Sequence, residues 1–418
     1  MSSKKLVPAL RFSEFKECSN WTENTLEEFL EISATYGIVK AGDFQTSGIP
    51  MVRGGDIKNG TVNSQLPLVS EAIHNQYKRT ILRSNDVVIS LVGYPGEAAV
   101  IPKSLVGANI SRAVGLIRLR DGINSLFLVS FLNSPVGRGV VLKPSAGSAQ
   151  TVVNLNSLNK LLIPRPSPEE QQKIADCLSS LDDIITFQTQ KLNFLKTHKK
   201  GLMQDLFPAD GESVPRLRFK GFEDDWGKEN LENLSSKISD GIHSTPVYDD
   251  NGQYFFINGN NLVNASIIID EKTKRVSKTE YDRHKKILGL NTILLSINGT
   301  IGNISFFNDE RVILGKSTCY INIKEDRIIK HFAFYFLQLE KVNQYYNLVL
   351  TGSTIKNLSL KSIKNISVDL PELIEQQKIA NCLSSLDEQI QAQTQKIKSL
   401  KLHKKGLMQQ LFPNTNDQ

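Results

Sequence analysis

The residues best suited to chemistry are few, and their spacing does not complete a catalytic motif. The stretch LGKST, Leu314 to Thr318, has the lysine and hydroxyl of a phosphate-binding loop. Such a loop also needs a glycine five residues before the Gly-Lys pair, and that position is Glu310; no acidic metal-binding strand accompanies it. The sequence has no glycine-rich methyl-donor loop and no Asn-Pro-Pro-aromatic motif, and IDEKTK at Ile269 echoes a nuclease motif without its partner acid. The six histidines are isolated, and His198 and His403 are expected to cap helix-end carbonyls. Cys18, Cys177, Cys319 and Cys382 form no C-x-x-C pair and read as buried thiols, not as disulfides or a zinc site. This inventory describes a chain that binds, with no catalytic centre, metal or cofactor of its own.

A length of 418 residues with 40% hydrophobic content is enough for two or three domains with ordinary cores. The net charge of +7 and isoelectric point near 9.0 favour a polyanion partner only mildly, because the excess is spread over the whole length. The start, MSSKKLVPALRF, lacks a signal-peptide core, and no window approaches a membrane span, so a cytoplasmic protein with no membrane partner is expected.

The elements that position these residues are written twice. EQQKIADCLSSLDDIITFQTQKLNFLKTHKKGLMQDLFP, Glu170 to Pro208, returns as EQQKIANCLSSLDEQIQAQTQKIKSLKLHKKGLMQQLFP, Glu375 to Pro413. VPALRF at Val7 returns as VPRLRF at Val214, each followed by a tryptophan, Trp21 and Trp226. Two further segments, near Asp86 and near Thr292, each read as a strand, a turn with two glycines three apart, and a second strand. The glycines are Gly93 and Gly96 in the first and Gly299 and Gly302 in the second. Each half is thus a variable globular unit followed by a constant segment.

The constant segment reads as a long helix. Ser167, Pro168 and Glu170 supply an N-cap, a first-turn proline and a capping-box acid, and Phe207-Pro208 ends it. In the second copy Pro168 becomes Leu373 and the proline falls earlier, at Pro371, so a slightly different start is expected. A seam, apolar but for two glutamines, steps by four and three through Leu178, Leu181, Ile185, Gln188 and Leu192, and again through Leu383, Leu386, Ile390, Gln393 and Ile397. A helix of about 39 residues spans roughly 58 Å and needs a partner. Acidic residues (Glu170, Asp176, Asp182, Asp183) come first and lysines (Lys191, Lys196, Lys199, Lys200) last, and the second copy keeps that order. Antiparallel pairing sets opposite charges together, whereas parallel pairing sets like charges together. The mid-helix glutamines Gln188 and Gln393 either fix the register or are tolerated solvated positions.

These motifs, over the whole chain, resemble the specificity (S) subunits of type I restriction-modification systems. The EQQKIA...LSSLD helices, the LPxLxEQ-like entry at Leu370 to Gln376 and the HKKGLMQxLFP ends carry the resemblance. It implies α/β (α+β) globular target-recognition domains in two copies, joined by two long antiparallel coiled-coil helices with pseudo-twofold symmetry. The expected boundaries are recognition domain 1 at 1–166, spacer helix 1 at 167–207, a linker at 208–213, recognition domain 2 at 214–371, spacer helix 2 at 372–413 and a tail at 414–418. The family implies that each recognition domain reads one half of a split double-stranded DNA target and that the helices set the gap. It also implies that two methyltransferase (modification) subunits dock on the helices and that restriction/translocase subunits join them. S-adenosylmethionine, ATP and magnesium then belong to those partner subunits.

On that reading DNA contact comes from loops that differ between the copies and carry side chains fitted to base edges and phosphates. In the first copy the candidates are Arg53, Asn59, Lys78, Arg79, Arg83, Tyr94, Arg112, Ser148 and Gln150. In the second they are Asn258, Asn260, Asn261, Lys274, Arg275, Lys278, Arg283, Asn298, Lys316, Ser353, Thr354 and Lys356. For each of these a solvated charge or a turn-forming asparagine is the plain alternative. Two other readings stay open: a coiled-coil assembly scaffold without DNA reading, and an enzyme with an unrecognised site.

Overall fold

A computed structural model describes residues 6–143, 152–351 and 357–413. The chain forms two compact units, one of residues 1–190 with 395–418 and one of residues 191–394. The repeated segments are two continuous helices, Pro168–Asp205 and Leu373–Leu411, and each contributes one part to each unit. They begin at corresponding positions: Leu373 takes the place of Pro168, so the shifted proline does not change the start.

The units have the same topology. The first has a four-stranded antiparallel sheet in the order Leu30–Tyr36, Val114–Leu119, Val87–Ser90, Ala98–Val100. The second repeats it as Ser235–Asp240, Thr318–Ile323, Thr292–Ser296, Ile304–Phe306. Val87–Ser90 and Thr292–Ser296 are buried at every residue, as their unbroken apolar runs require of a strand covered on both faces. The glycine pairs make the turns of the two sheet-edge hairpins, and Gly93, Gly96, Gly299 and Gly302 all have positive φ.

Each unit also has a three-stranded sheet with one antiparallel and one parallel pairing. Its strands are Leu68–Val69, Ile49–Val52 and Asn109–Ile110 in the first unit, and Arg275–Val276, Tyr254–Ile257 and Val312–Leu314 in the second. A two-stranded ribbon ties the start of each globular part to its end: Thr22–Thr25 with Leu162–Arg165, and Gly227–Asn230 with Ser367–Leu370.

The long helices are antiparallel within each unit. In the first unit Ile174, Ala175 and Leu178 share a core with Met408, Leu411 and Phe412, and Lys404 Nζ lies 2.6 Å from Asp182. In the second, Ile379, Ala380 and Leu383 share a core with Leu206 and Phe207, and Lys199 Nζ lies 2.6 Å from Asp387. The phenylalanine of each LFP end is a keystone. Phe412 packs 5.6 Å from both Phe127 and Phe131, and Phe207 packs 5.2 Å from Phe332 and 6.1 Å from Trp226. The chain's start stands at its end, with Leu10 N donating to Gln410 O, as Leu217 N donates to Asp205 O in the other unit.

Three sequence expectations are corrected. Glu170 is no capping-box acid: its carboxylate accepts from the Arg11 guanidinium, and Ser167 alone caps, accepting from Glu170 N. Of the thiols only Cys319 is buried; Cys18 is exposed and Cys177 and Cys382 are half-buried, because their helix face is only partly covered. His198 lies flat against Phe194, at 6.0 Å, in place of the expected carbonyl contact.

Candidate nucleic-acid interface

In the first unit, parallel pairing of Met51–Val52 with Asn109–Ile110 brings two strand ends together. One strand leaves through the turn Arg53–Asp56, the other through Ser111–Ala113, with Ser111 N donating to Val52 O and Arg112 N to Ile38 O. Gly54 allows this turn to sit on the neighbouring hairpin: a Cβ there would come within 2.5 Å of Val92 O and 2.9 Å of Ser90 Oγ. The same hairpin carries Tyr94, which is 52% exposed with Lys58 Nζ 4.7 Å over its ring. Asn59, at φ 52°, donates its N–H to Glu97, which lies on that hairpin. Arg53, Asn59, Tyr94 and Arg112 thus gather around one turn–hairpin contact. Arg53 is half-exposed and forked onto the buried Asp56, whose hydrogen bond raises the guanidinium pKa above its usual value.

The other first-unit candidates are spread out. Lys78 and Arg79 lie exposed on a short turn tied to Asn109 through Thr80, which donates its hydroxyl to Asn109 Oδ1 at 2.7 Å. Arg83 stands apart, paired with Glu31 at 3.0 Å beside the cleft at the start of the first long helix. Ser148 and Gln150 lie outside the described residues.

The second unit builds the same junction with different chemistry. Its turn is Asn258–Gly259–Asn260–Asn261, and a Cβ on Gly259 would come within 1.9 Å of Ser296 Oγ. Asn258 Oδ1 accepts from the Ser317 hydroxyl at 3.0 Å, and Gly259 N donates to the same hydroxyl. Asn261 Oδ1 accepts from Asn258 N while its amide donates to Ile268 O. Asn258 and Asn261 therefore hold the turn, leaving Asn260 and Lys316 exposed beside it. Asn298 is half-buried and bridges to Asn357 through its backbone. LGKST is itself a strand-to-strand turn, between Val312–Leu314 and Thr318–Ile323, with no helix to complete a phosphate loop.

Arg275 opens the outer strand Arg275–Val276 of this unit's smaller sheet, Lys274 precedes it, and Lys278 and Arg283 lie on the helix that follows. Lys278 and Arg283 are paired with Asp282 and Glu280 on their own helix. Ser353, Thr354 and Lys356 lie outside the described residues.

Sequence reasoning missed Lys58, His243 and Arg311. His243 pairs with Asp240 at 2.8 Å on a loop that begins where Ile242 N donates to Leu314 O. A cation next to a polar residue was the available signal; the ring beneath Lys58 and Arg311 is a tertiary fact that no local pattern carries.

Of the helix seam positions, Leu178 and Leu383 are fully buried within the two globular cores. Leu386, Gln393 and Ile397 are buried, whereas Leu181, Ile185, Gln188, Leu192 and Ile390 are half-buried. Among the described residues no single helix is long and apolar enough to cross a membrane.

The family described as "Type I restriction modification DNA specificity domain" matches residues 18–197 and again 223–402. The chain therefore belongs to the type I restriction-modification specificity family. It is 33% identical over 159 residues to the type I restriction enzyme EcoBI specificity subunit of Escherichia coli, a match covering 37% of this chain and 33% of that protein. It is 23% identical over 356 residues to the type I restriction enzyme MjaVIII specificity subunit of Methanocaldococcus jannaschii, covering 82% of each chain. Its fold is similar to that of the S subunit of a type I restriction-modification system from M. genitalium, with a TM-score of 0.60 at 17% identity over 98% of this chain and all of that one.

Proposed function

We propose that this chain is the DNA-reading subunit of a type I restriction-modification complex, in which each globular part binds one half of a bipartite, asymmetric double-stranded DNA target. One observation carries the reading. The two junctions keep the same backbone, down to the buried Gly54 and Gly259, yet present different side chains: Arg53, Tyr94 and Arg112 in one, Asn260 and Lys316 in the other. A constant frame with a variable polar surface is what a reader of two different half-sites needs. The globular parts are residues 1–166 and 214–371, and Ser148, Gln150, Ser353, Thr354 and Lys356, outside the described residues, are DNA contacts by residue type alone.

The chain itself catalyses nothing. It works in the cytoplasm as the guide for two methyltransferase subunits, with restriction/translocase subunits completing the assembly. S-adenosylmethionine, ATP and magnesium serve those partners. The long helices set the gap between half-sites, and a heptad added to each after Gln188 and Gln393 lengthens them by about 10 Å. Mapping methylated adenines genome-wide in a strain carrying the system tests the proposal. A split target with unlike halves is the expected result; two identical halves, or no sequence-defined methylation, would overturn it.

A further inference from the structure

Where the chain passes from the smaller sheet of each unit to the larger one, both units build one turn with the same backbone bonds. In the first, Ser111 N donates to Val52 O, Val114 N to Ser111 O and Leu91 N to Ala113 O. In the second, Gly315 N donates to Ile257 O, Thr318 N to Gly315 O and Ile297 N to Ser317 O, so the bonds match one for one. The middle bond of each set closes a four-residue turn, Ser111–Val114 or Gly315–Thr318, whose first corner is Arg112 or Lys316. A residue at that corner has its backbone fixed from both sides.

The neighbouring turn residues serve the frame. Ser111 Oγ accepts from Ala113 N, the Ser317 hydroxyl donates to Asn258 Oδ1, and a Cβ on Gly315 would come within 2.2 Å of that same oxygen. Arg112 and Lys316 are exposed, and among the described residues no hydrogen bond, ion pair or ring engages either side chain. Of the other arginines named for the first reading surface, Arg53 is forked onto Asp56 and Arg83 is paired with Glu31, while Arg79 lies on the turn Lys78–Thr80, outside this frame.

The flanks of the two corners differ as well. Arg112 N donates to Ile38 O, and Ile38 lies in sequence between the exposed Tyr36 and Val39. At the same positions beside Gly315 the second unit has Asp240 and His243, paired with each other at 2.8 Å. The arginine corner thus has no carboxylate on this flank to hold its charge. An unpaired guanidinium on a fixed corner keeps all its planar donors for a ligand, and two of them match O6 and N7 of one guanine in the major groove. A lysine in the same place offers a point charge without that fork.

We infer that Arg112 determines specificity in the first unit by reading a guanine through O6 and N7. This rests on the DNA-reading function proposed above and gives it a base: a G·C pair in the half-site bound by the first unit.

The test uses the full chain assembled with its modification subunits, and duplexes carrying the mapped target in which each guanine in turn is replaced by 7-deazaguanine. That base keeps its pairing and loses the N7 acceptor. For the wild type, one such duplex should bind roughly tenfold more weakly, the loss expected of one hydrogen bond from a charged donor. Arg112→Gln should bind the natural target more weakly and show no further loss at that guanine, whereas Arg79→Gln should keep the wild-type pattern. The charge-keeping Arg112→Lys should retain the wild-type salt dependence and recover affinity only in part. If Arg112→Lys recovers it fully, and Arg112→Gln weakens target and random-sequence duplexes alike, Arg112 is a phosphate contact and the inference falls. It falls too if no 7-deazaguanine effect depends on residue 112, if Arg112→Gln sheds the modification subunits, or if the mapped target holds no G·C pair. A wild-type complex that shows no preference for the target over a random-sequence duplex defeats the DNA-reading function itself, and that outcome is visible before any variant is made.

Discussion

Arg11 grips Glu170 through two parallel hydrogen bonds of 2.8 Å, and both side chains are almost wholly buried. Arg218 and Glu375 make the same fork in the second unit, at 2.8 and 2.9 Å. This explains why VPxLRF and EQQKIA recur together: the arginine of one motif pins the first turn of the helix that carries the other. The next residue continues the anchor. Gln171 Oε1 accepts from Asn124 N and its amide donates to Pro166 O, as Gln376 does with Ile329 N and Pro371 O.

Removing one side of this fork strands a buried charge, at a cost of about 3–5 kcal/mol. Glu170→Ala and Glu375→Ala should each lower the denaturant midpoint accordingly, whereas Arg11→Met/Glu170→Leu should recover much of the loss. A double variant no better than the single ones would show that the fork's value lies in its own attraction and not in the penalty of an unpaired ion. Chemical unfolding followed by fluorescence of Trp21 and Trp226, which lie in the two cores, reads the effect in each unit.

The two lysine–aspartate pairs between the long helices are not equivalent. Asp387 accepts from Lys199 and from the Tyr335 hydroxyl at 2.8 Å, and Lys199 also lies 5.0 Å over the Tyr335 ring. Asp182 has Lys404, and the residue one turn-position before Phe131, where the second unit has Tyr335 before Phe336, is Ser130. Asp182→Asn should therefore cost no more than about 1 kcal/mol, as partly exposed pairs do, and Asp387→Asn roughly 1 kcal/mol more. Equal midpoints for the two variants would show that Tyr335 adds nothing.

The repeats, the helix register and the antiparallel order were legible because each rests on a local or periodic signal: Leu178 and Leu383 mark apolar stripes, and the separation of acids from lysines predicts acidic halves against basic halves, which the Asp182–Lys404 pair realises. Glu170 was misread because a capping box and an ion-pair anchor look identical in sequence; only the fold brings Arg11 back to it from 159 positions away. The layout of the turn–hairpin junctions was only half legible. Arg53, Tyr94 and Arg112 converge through parallel pairing of two very short strands, a long-range event with no sequence period of its own. Asn258 and Asn261 look like base readers by residue type, but their amides hold a turn.

Histidine 331 gives the second unit a pH dependence with a defined sign. Burial pushes its pKa down from 6.5, the charge of Lys330 pushes it further, and Glu325 opposes them only in part; its ring rests 4.7 Å from Phe306. The folded state thus disfavours the proton that the unfolded chain accepts near pH 6.5. Stability should fall as the pH drops through that value, and level off only below the depressed folded-state pKa. Comparing denaturant midpoints at pH 7.5 and 5.5 for the wild type and His331→Phe isolates this contribution from the carboxylates. The variant should lose less stability on acidification, and an identical loss would refute the assignment.

The two units solve one packing problem in two ways, which allows a direct exchange. In the first, buried Asp86 accepts from Arg118 Nε and Nη2 at 2.9 and 2.7 Å, and Arg118 also donates to Ile81 O. In the second, Thr292 donates its hydroxyl to Asn322 Oδ1 at 2.8 Å, and the Asn322 amide donates to Ile287 O. The local backbone is served alike: Asp86 Oδ2 accepts from Arg83 N as Thr292 Oγ1 accepts from Gly289 N. A neutral pair therefore meets the same hydrogen-bonding demands as the charged one. Asp86→Thr or Arg118→Asn alone leaves a buried charge unpaired and should cost about 3–5 kcal/mol, while Asp86→Thr/Arg118→Asn together should lie within about 1–2 kcal/mol of the wild type. The first half of a double-mutant cycle, measured by chemical unfolding, would show the large losses; the second would show their cancellation. If the double variant lost as much as the sum of the single ones, Asp86 and Arg118 would be acting through separate surroundings, and the correspondence with Thr292 and Asn322 would be geometric only.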